Sequence, residues 1–126
     1  MITPYSHTMH YEMLKTWLTV RSMPTPEKDM FSDLGFCVDN TAIGFLFLTN
    51  SKQAYIDNIA ANPEKSVQQR DRCINALINT LEAAARENGY KVVSVLANIP
   101  TMKKRFAWRG FRKHDDYSLF YKFIGG

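Results

Sequence analysis

Apolar residues recur at helical spacing from Ser6 to about Arg21, where Met9, Met13, Leu14, Trp17, Leu18 and Val20 share a stripe. Ser6 or Thr8 is placed to cap this helix. The run Ser22-Met23-Pro24-Thr25-Pro26 stops it, because two prolines remove donors and restrict the residues before them. Thr25 or Pro26 opens a short turn through Glu27–Phe31. Leu34–Val38 and Thr41–Leu48 then read as strands joined at the turn-forming pair Asp39-Asn40. A third strand, Ala54–Ala60, carries Tyr55, Ile56 and Ile59 and ends at Asn62-Pro63-Glu64. The clearest helix is Asp71–Asn88, with Ile74, Leu77, Ile78, Leu81, Ala84 and Ala85 on one face. Asp71 suits its first-turn amides, and Gly89 suits its stop. Val92–Ala97 is a β-branched run, Ile99–Arg109 a shorter helix with Met102 and Phe106 inward, and Tyr117–Ile124 a closing strand.

The order helix, three strands, helix, strand, helix, strand predicts an α/β (α+β) fold on one mixed sheet. Its early strands form an antiparallel meander, and the strand after the long helix runs parallel to the one before it. With 126 residues, 45% hydrophobic and 13% aromatic, the chain is expected to be one globular domain, and no repeat or linker divides it. The longest apolar run, Ile43–Leu48, has the length of a strand rather than a membrane span. No basic region followed by an apolar core marks a signal peptide, and Cys37 and Cys73 form no paired motif. The expectation is a reduced, cytoplasmic protein. Charge is uneven: residues 1–62 are net −2 and residues 63–126 net +6. A basic half suits a phosphate-bearing cofactor or a nucleic acid.

Three segments carry a further resemblance. Ala54-Tyr55-Ile56-Asp57-Asn58-Ile59-Ala60-Ala61-Asn62-Pro63-Glu64, the helix from Ala76 to its Gly89-Tyr90 stop, and Asn98 followed by Phe106-Ala107-Trp108-Arg109-Gly110-Phe111 occur in order. Together they resemble the GNAT superfamily of acyl-CoA-dependent N-acyltransferases, over roughly residues 30–126. The resemblance implies a central parallel strand pair splayed to hold acetyl-CoA or another acyl-CoA. The pantetheine arm would pair with backbone at Ile59, Ala60 and Ala61, and the pyrophosphate would sit at the N-terminus of the long helix. Arg70, Arg72, Cys73 and Ile74 fall in the family's phosphate loop, Asn98 at a cofactor hydrogen-bonding position, and Phe106 where many members carry a tyrosine that protonates the leaving thiolate.

Two departures stand out. The stretch Gln68–Ile74 has no glycine where the family brings backbone close to phosphate; Arg70 and Arg72 could offer guanidinium forks instead, or simply be solvated. Phe106 cannot donate a proton, so either Tyr117, Tyr121 or a water would serve, or transfer would be slow or absent. For deprotonating an amine, Asp57 is the leading candidate, with Glu12 and His10 behind it. His114 beside Asp115-Asp116 makes a poor metal site, and no metal is expected. Cys73 is a weak nucleophile candidate without a histidine partner.

The resulting expectation is an N-acetyltransferase that catalyses direct attack of an unidentified amine, small-molecule or protein, on a CoA thioester. The site set is Asp57 and Tyr117 for catalysis and Ile59, Ala60, Ala61, Arg70, Arg72, Cys73, Ile74, Asn98 and Phe106 for the cofactor. The alternative is a catalytically weak GNAT-fold pseudo-enzyme that binds protein or nucleic acid. Lys103, Lys104, Arg105, Arg109, Arg112 and Lys113 interleave with Phe106, Trp108 and Phe111, but helical spacing leaves only Trp108 outward and no nucleic-acid motif is present. Nucleic acid and membrane are therefore not the expected partners, and homodimerisation is left open.

Overall fold

The computed structural model describes residues 1–97, 99–114, 120 and 122–124. The chain divides into two compact units, 1–96 and 97–126. The first holds β1 (Ile2–Pro4), α1 (His7–Val20), a 3-10 turn (Lys28–Met30), β2 (Gly35–Val38), β3 (Ala42–Leu48), β4 (Gln53–Ala61), α2 (Val67–Glu87) and β5 (Val92–Val95). One five-stranded sheet runs in the order β1-β2-β3-β4-β5; the first four strands are antiparallel neighbours and β5 runs parallel to β4. This is the mixed, mostly antiparallel sheet expected from the pattern of apolar runs. The edge strand β1 was not expected: three residues are too few to show an alternation. Half of the predicted closing strand, 117–124, lies outside the described residues, and residues 120 and 122–124 are not in a strand.

Local chemistry sets the boundaries. Asp39 and Asn40 both adopt positive φ, 50° and 49°, as a two-residue hairpin with the right twist requires. α1 ends in a Schellman motif: Met23 N–H donates to Leu18 O and Ser22 N–H to Thr19 O, with Ser22 itself at φ 55°. α2 ends the same way through Gly89 at φ 81°, with Tyr90 N–H to Ala85 O and Gly89 N–H to Arg86 O. At its other end α2 starts four residues before the predicted Asp71. Ser66 is the N-cap and forms a reciprocal capping box with Gln69, so Gln68–Ile74 is helix rather than loop.

The two faces of the sheet are covered by different helices. Leu14, Trp17, Leu18 and Phe31 form one buried cluster with Cys37, Ile43, Phe45 and Ala60, while Tyr5, Tyr11, Met13 and Phe47 pack around it. Met9 and Val20, placed on this stripe by spacing, are exposed at the ends of α1. α2 buries Cys73, Ile74, Leu77, Ile78, Leu81, Ala84 and Ala85. It lies on the opposite face, because Gly44, between Ile43 and Phe45, points the other way. A Cβ on Gly44 would come 2.9 Å from Leu77 Cδ2 and 3.1 Å from Ile59 Cγ1, so glycine lets α2 approach the strand.

The second unit contains α3 (Pro100–Trp108), with proline in its first turn where no intrahelical donor is lost. Its end explains the Gly-Phe signature physically. Gly110, at φ 85°, and Phe111 close a Schellman motif onto Ala107 O and Phe106 O, and the Phe106 and Phe111 rings meet edge-to-face at 5.0 Å. Trp108 is 91% exposed, the outward aromatic expected from spacing.

Gly89→Ala isolates the cost of the left-handed stop, since an added Cβ would meet nothing nearer than Lys52 Nζ at 3.8 Å. The substitution should lower unfolding free energy by about 1 kcal/mol in urea titrations. An unchanged midpoint would show that the turn does not require the glycine.

Candidate functional site

The site is an opening between β4 and β5. The two strands pair from Gln53↔Val92 to Ile56↔Val95 and no further. From Asp57 to Ala61, β4 continues with β3 as its only strand partner among the described residues. The pairing with β3 is itself irregular at this point. Phe45 opposes Asp57 and Ile43 opposes Ala60, so Asn58 and Ile59 together face the single residue Gly44. This is a β-bulge, and Asn58 adopts φ 56°, a left-handed conformation that asparagine tolerates better than most residues. The Asp57 carboxylate fixes it: Asn58 N–H donates to Asp57 Oδ1 at 2.8 Å.

Backbone direction along the open edge follows from the register. Asn62 N–H donates to Thr41 O at 2.7 Å, and Ala60 lies two residues back opposite Ile43. Alternate residues of a strand direct N–H and C=O to the same side, so Ala60 and Asn62 face β3. Ile59 and Ala61 turn theirs to the open side. The Ala61 carbonyl indeed takes a different partner, accepting from Arg21 Nη2 at 3.5 Å. Of the three residues expected to offer backbone, Ile59 and Ala61 have it free of the β3 ladder and Ala60 is committed to that ladder.

Five residues lead from this edge to α2. Asn62 folds the turn by accepting from Glu64 N–H with its side chain, at 3.0 Å, and from Lys65 N–H with its carbonyl, at 3.2 Å. At the helix start the capping box occupies the amides of Ser66 and Gln69. The first four amides of a helix have no intrahelical acceptor, which leaves those of Val67 and Gln68 pointing out of the positive end of the dipole. The spare backbone amides therefore lie at Val67 and Gln68, not over the Arg70–Ile74 stretch expected to supply them. Arg70 N–H already donates to Ser66 O, and Arg72, Cys73 and Ile74 follow it inside the helix, where amides bond back up the chain. Arg70 and Arg72 offer side chains only; Cys73 and Ile74 point into the core, at 3% and 8% exposure. A 3% exposed thiol in the second turn of a helix is packing, not a nucleophile.

The other side of the sheet carries α1 and an aromatic cluster at its N-terminus. Tyr5 meets Phe45 edge-to-face at 4.7 Å and His7 at 5.2 Å. Burial, with Tyr11 nearby, pushes the Tyr5 phenol up to about 12. The phenol therefore keeps its proton at neutral pH, and it shares a hydrogen bond with His7 Nδ1, 3.1 Å away, whose direction the imidazole tautomer sets. His10 is buried, and burial lowers its pKa from 6.5. Ser6 N–H donates to its Nδ1 at 2.9 Å, so the lone pair that a base would use is already engaged. His10 is a structural acceptor at the start of α1 rather than a proton acceptor for substrate. Asp57 is exposed at the mouth of the opening. Asn98 and Tyr117, together with Tyr121, Asp115 and Asp116, lie outside the described residues. Phe106, expected against the cofactor, is buried beside Phe111 within the second unit. Among the described residues no three His, Cys, Asp or Glu side chains converge on a metal position, and no helix is long and apolar enough to cross a membrane.

Sequence reasoning missed Arg21, Asn58 and the Ser66 cap. The cap was readable as Ser-x-x-Gln; Asn58 and Arg21 carried no local signal, since a bulge and a contact across 40 positions are products of the fold.

No family model matches the sequence, and no curated protein matches it either. Solved structures do match in shape. An acetyltransferase of Trypanosoma brucei superposes with a TM-score of 0.68 at 14% identity, over 97% of this chain and 99% of that one. An aminoglycoside acetyltransferase from an uncultured soil metagenomic sample, in complex with trehalose, gives 0.65 at 15% identity over 99% and 96%. An acetyltransferase of Streptococcus agalactiae gives 0.65 at 11% identity over 98% and 91%. The chain has the GNAT acetyltransferase fold.

Burial of His10 makes stability depend on pH. Its folded pKa lies below 6.5, so the unfolded chain takes up a proton first and the native state loses stability as pH falls below about 6.5. His10→Asn keeps an acceptor for Ser6 N–H without the titration. Between pH 7.5 and 5.5 the urea midpoint of His10→Asn should fall less than that of the parent; an equal fall would remove His10 as the source.

Proposed function

We propose that the chain transfers an acyl group from a CoA thioester, with acetyl-CoA as the natural donor, to a primary amine. The observation that carries this reading is the coincidence of three features on one path. These are the β4–β5 opening, the outward backbone of Ile59 and Ala61, and the two spare amides at the start of α2, five residues downstream.

The residues present suit a pantetheine-linked phosphate. An extended arm with amide groups can pair with Ile59 and Ala61 as an added strand would, displacing the long Arg21 contact from the Ala61 carbonyl. The Val67 and Gln68 amides and the positive end of α2 favour pyrophosphate, and Arg70, Arg72 and Arg21 add charge that glycine-rich loops do not supply. The thioester supplies an activated acyl carbonyl. The Ile59 N–H, outward at the bulge, is the donor placed to polarise it, since the Asn58 N–H is held by Asp57. Asp57, at the mouth of the opening, takes a proton from the acceptor ammonium so that the free amine attacks. The new C–N bond forms, the C–S bond breaks, the thiolate leaves with a proton assigned to Tyr117, and the second proton shed by the nitrogen returns through water to the phenolate. No covalent enzyme intermediate is needed.

A protein- or nucleic-acid-binding role with weak or no catalysis is the competing reading. It draws on the basic residues around α3, but of the three aromatics interleaved with them Phe106 and Phe111 are engaged with each other, which leaves Trp108 to stack.

Calorimetric titration with acetyl-CoA and CoA decides between them: saturable binding of both is expected, and no heat at millimolar ligand would sink the transferase. Ala61→Pro sharpens the test. Proline removes an N–H that the β3 ladder does not use, so the strand should survive. CoA affinity should drop about tenfold, the worth of one hydrogen bond; unchanged affinity would take Ala61 off the cofactor path.

A further inference from the structure

The α1 face of the sheet beside the opening has a chemistry of its own. Phe45 lies opposite Asp57, Phe47 opposite Tyr55, and Tyr55 opposite Ser94 on β5. Directly paired residues share a face, and Phe45 and Phe47 belong to the cluster under α1. Tyr55, Asp57 and Ser94 therefore look out on that side too. The row Phe47–Tyr55–Ser94 spans three strands at the last paired rungs, and Asp57 is the first residue of β4 beyond them.

Tyr55 is 45% exposed, and beside it Phe47, packed against the cluster under α1, is half-buried, so aromatic side chains border the carboxylate. Asp57 gives one oxygen to the Asn58 amide, which fixes the carboxylate's direction. Among side chains that β2 to β5 direct to this face, only Asp57 carries charge: the others are Gly35, Cys37, Ile43, Phe45, Phe47, Gln53, Tyr55, Ala60, Val92 and Ser94.

From this arrangement we infer that the acceptor is an arylalkyl monoamine, its single ammonium on Asp57 and its ring on the Tyr55–Phe47 surface. The inference rests on the acyltransferase reading and names its second substrate. One carboxylate complements one ammonium; a polyamine or aminoglycoside would bring further cations to a sheet face on which the described strand residues hold no second carboxylate. The Tyr55 and Asp57 positions are about 7 Å apart along the strand, a span that a ring on a two-carbon stem bridges. Aromatic stacking and the exposed π-face then add to the ion pair. Bound this way, the nitrogen sits at the mouth of the opening, next to the Ile59 amide that faces the acyl group.

Phenethylamine, spermidine and a lysine-containing peptide serve as probes, each titrated into the protein alone and into the protein saturated with CoA. Phenethylamine should bind at least tenfold more tightly than the other two. Asp57→Asn retains an acceptor for Asn58 N–H while removing the charge; it should weaken phenethylamine tenfold or more and leave CoA affinity unchanged. Tyr55→Ala should weaken it several-fold, and Tyr55→Phe should restore it, because the ring and not the hydroxyl is used. Preference for spermidine or the peptide, or indifference of phenethylamine to both Asp57→Asn and Tyr55→Ala, would overturn the inference. Phenethylamine bound through these residues in a protein that does not bind CoA would uphold the amine site and overturn the transferase reading instead.

Discussion

One extra residue in β4 governs the site. Because Asn58 and Ile59 share the space opposite Gly44, the strand changes direction after Asp57, and its partnership with β5 ends within a residue of that change. A sheet edge opened inside a fold leaves backbone donors and acceptors without a ladder, an arrangement that would be unfavourable unless something completes it. Here the incomplete groups are those of Ile59 and Ala61, and the Arg21 guanidinium already answers one of them. The bulge is stabilised locally by the Asp57–Asn58 bond and made sterically possible by Gly44, which accommodates both Leu77 and Ile59.

The opening lies between two differently furnished faces. On one side of the sheet α2 brings its N-terminus round to the end of β4, which is where the proposed anionic donor would meet amides and arginines. On the other side α1 packs its cluster against Phe45 and Ala60 and leaves Tyr55 and Asp57 uncovered further along the strand. Among the described residues of β2 to β5, the one charged side chain on the α1 face is acidic. The proposed mechanism would then need little beyond positioning: an amide at the bulge for the carbonyl, a carboxylate at the mouth for the proton.

Much of this was legible in the residues, for identifiable reasons. Amphipathic periodicity fixed α1 and most of α2, and Asp39-Asn40 and Gly89 marked turns whose positive φ values the structure shows. The long helix was started too late because Val67–Arg70 is polar and carries no apolar period, even though Ser66 and Gln69 spell a capping box. That error made a helical stretch look like a glycine-less loop. With α2 beginning at Val67, glycine is not missed at Arg72 and Ile74, since the backbone amides left spare at this helix start are those of Val67 and Gln68. The family-like Gly110-Phe111 proved to be a helix stop closed by the Phe106–Phe111 ring contact, which needs no ligand to explain it. Register, bulge and the outward direction of Ile59 and Ala61 depend on pairing across strands and could not be read from one strand's sequence.

Amide hydrogen exchange at residues 57–62, followed by NMR with and without CoA, examines the open edge most directly. Ala60 and Asn62 should be protected in both states, because β3 already holds them, whereas Ile59 and Ala61 should exchange freely alone and become protected when CoA is added. Protection of Ile59 and Ala61 without ligand, or no change in either at saturating CoA, would contradict the assignment of this edge as the cofactor's docking strand.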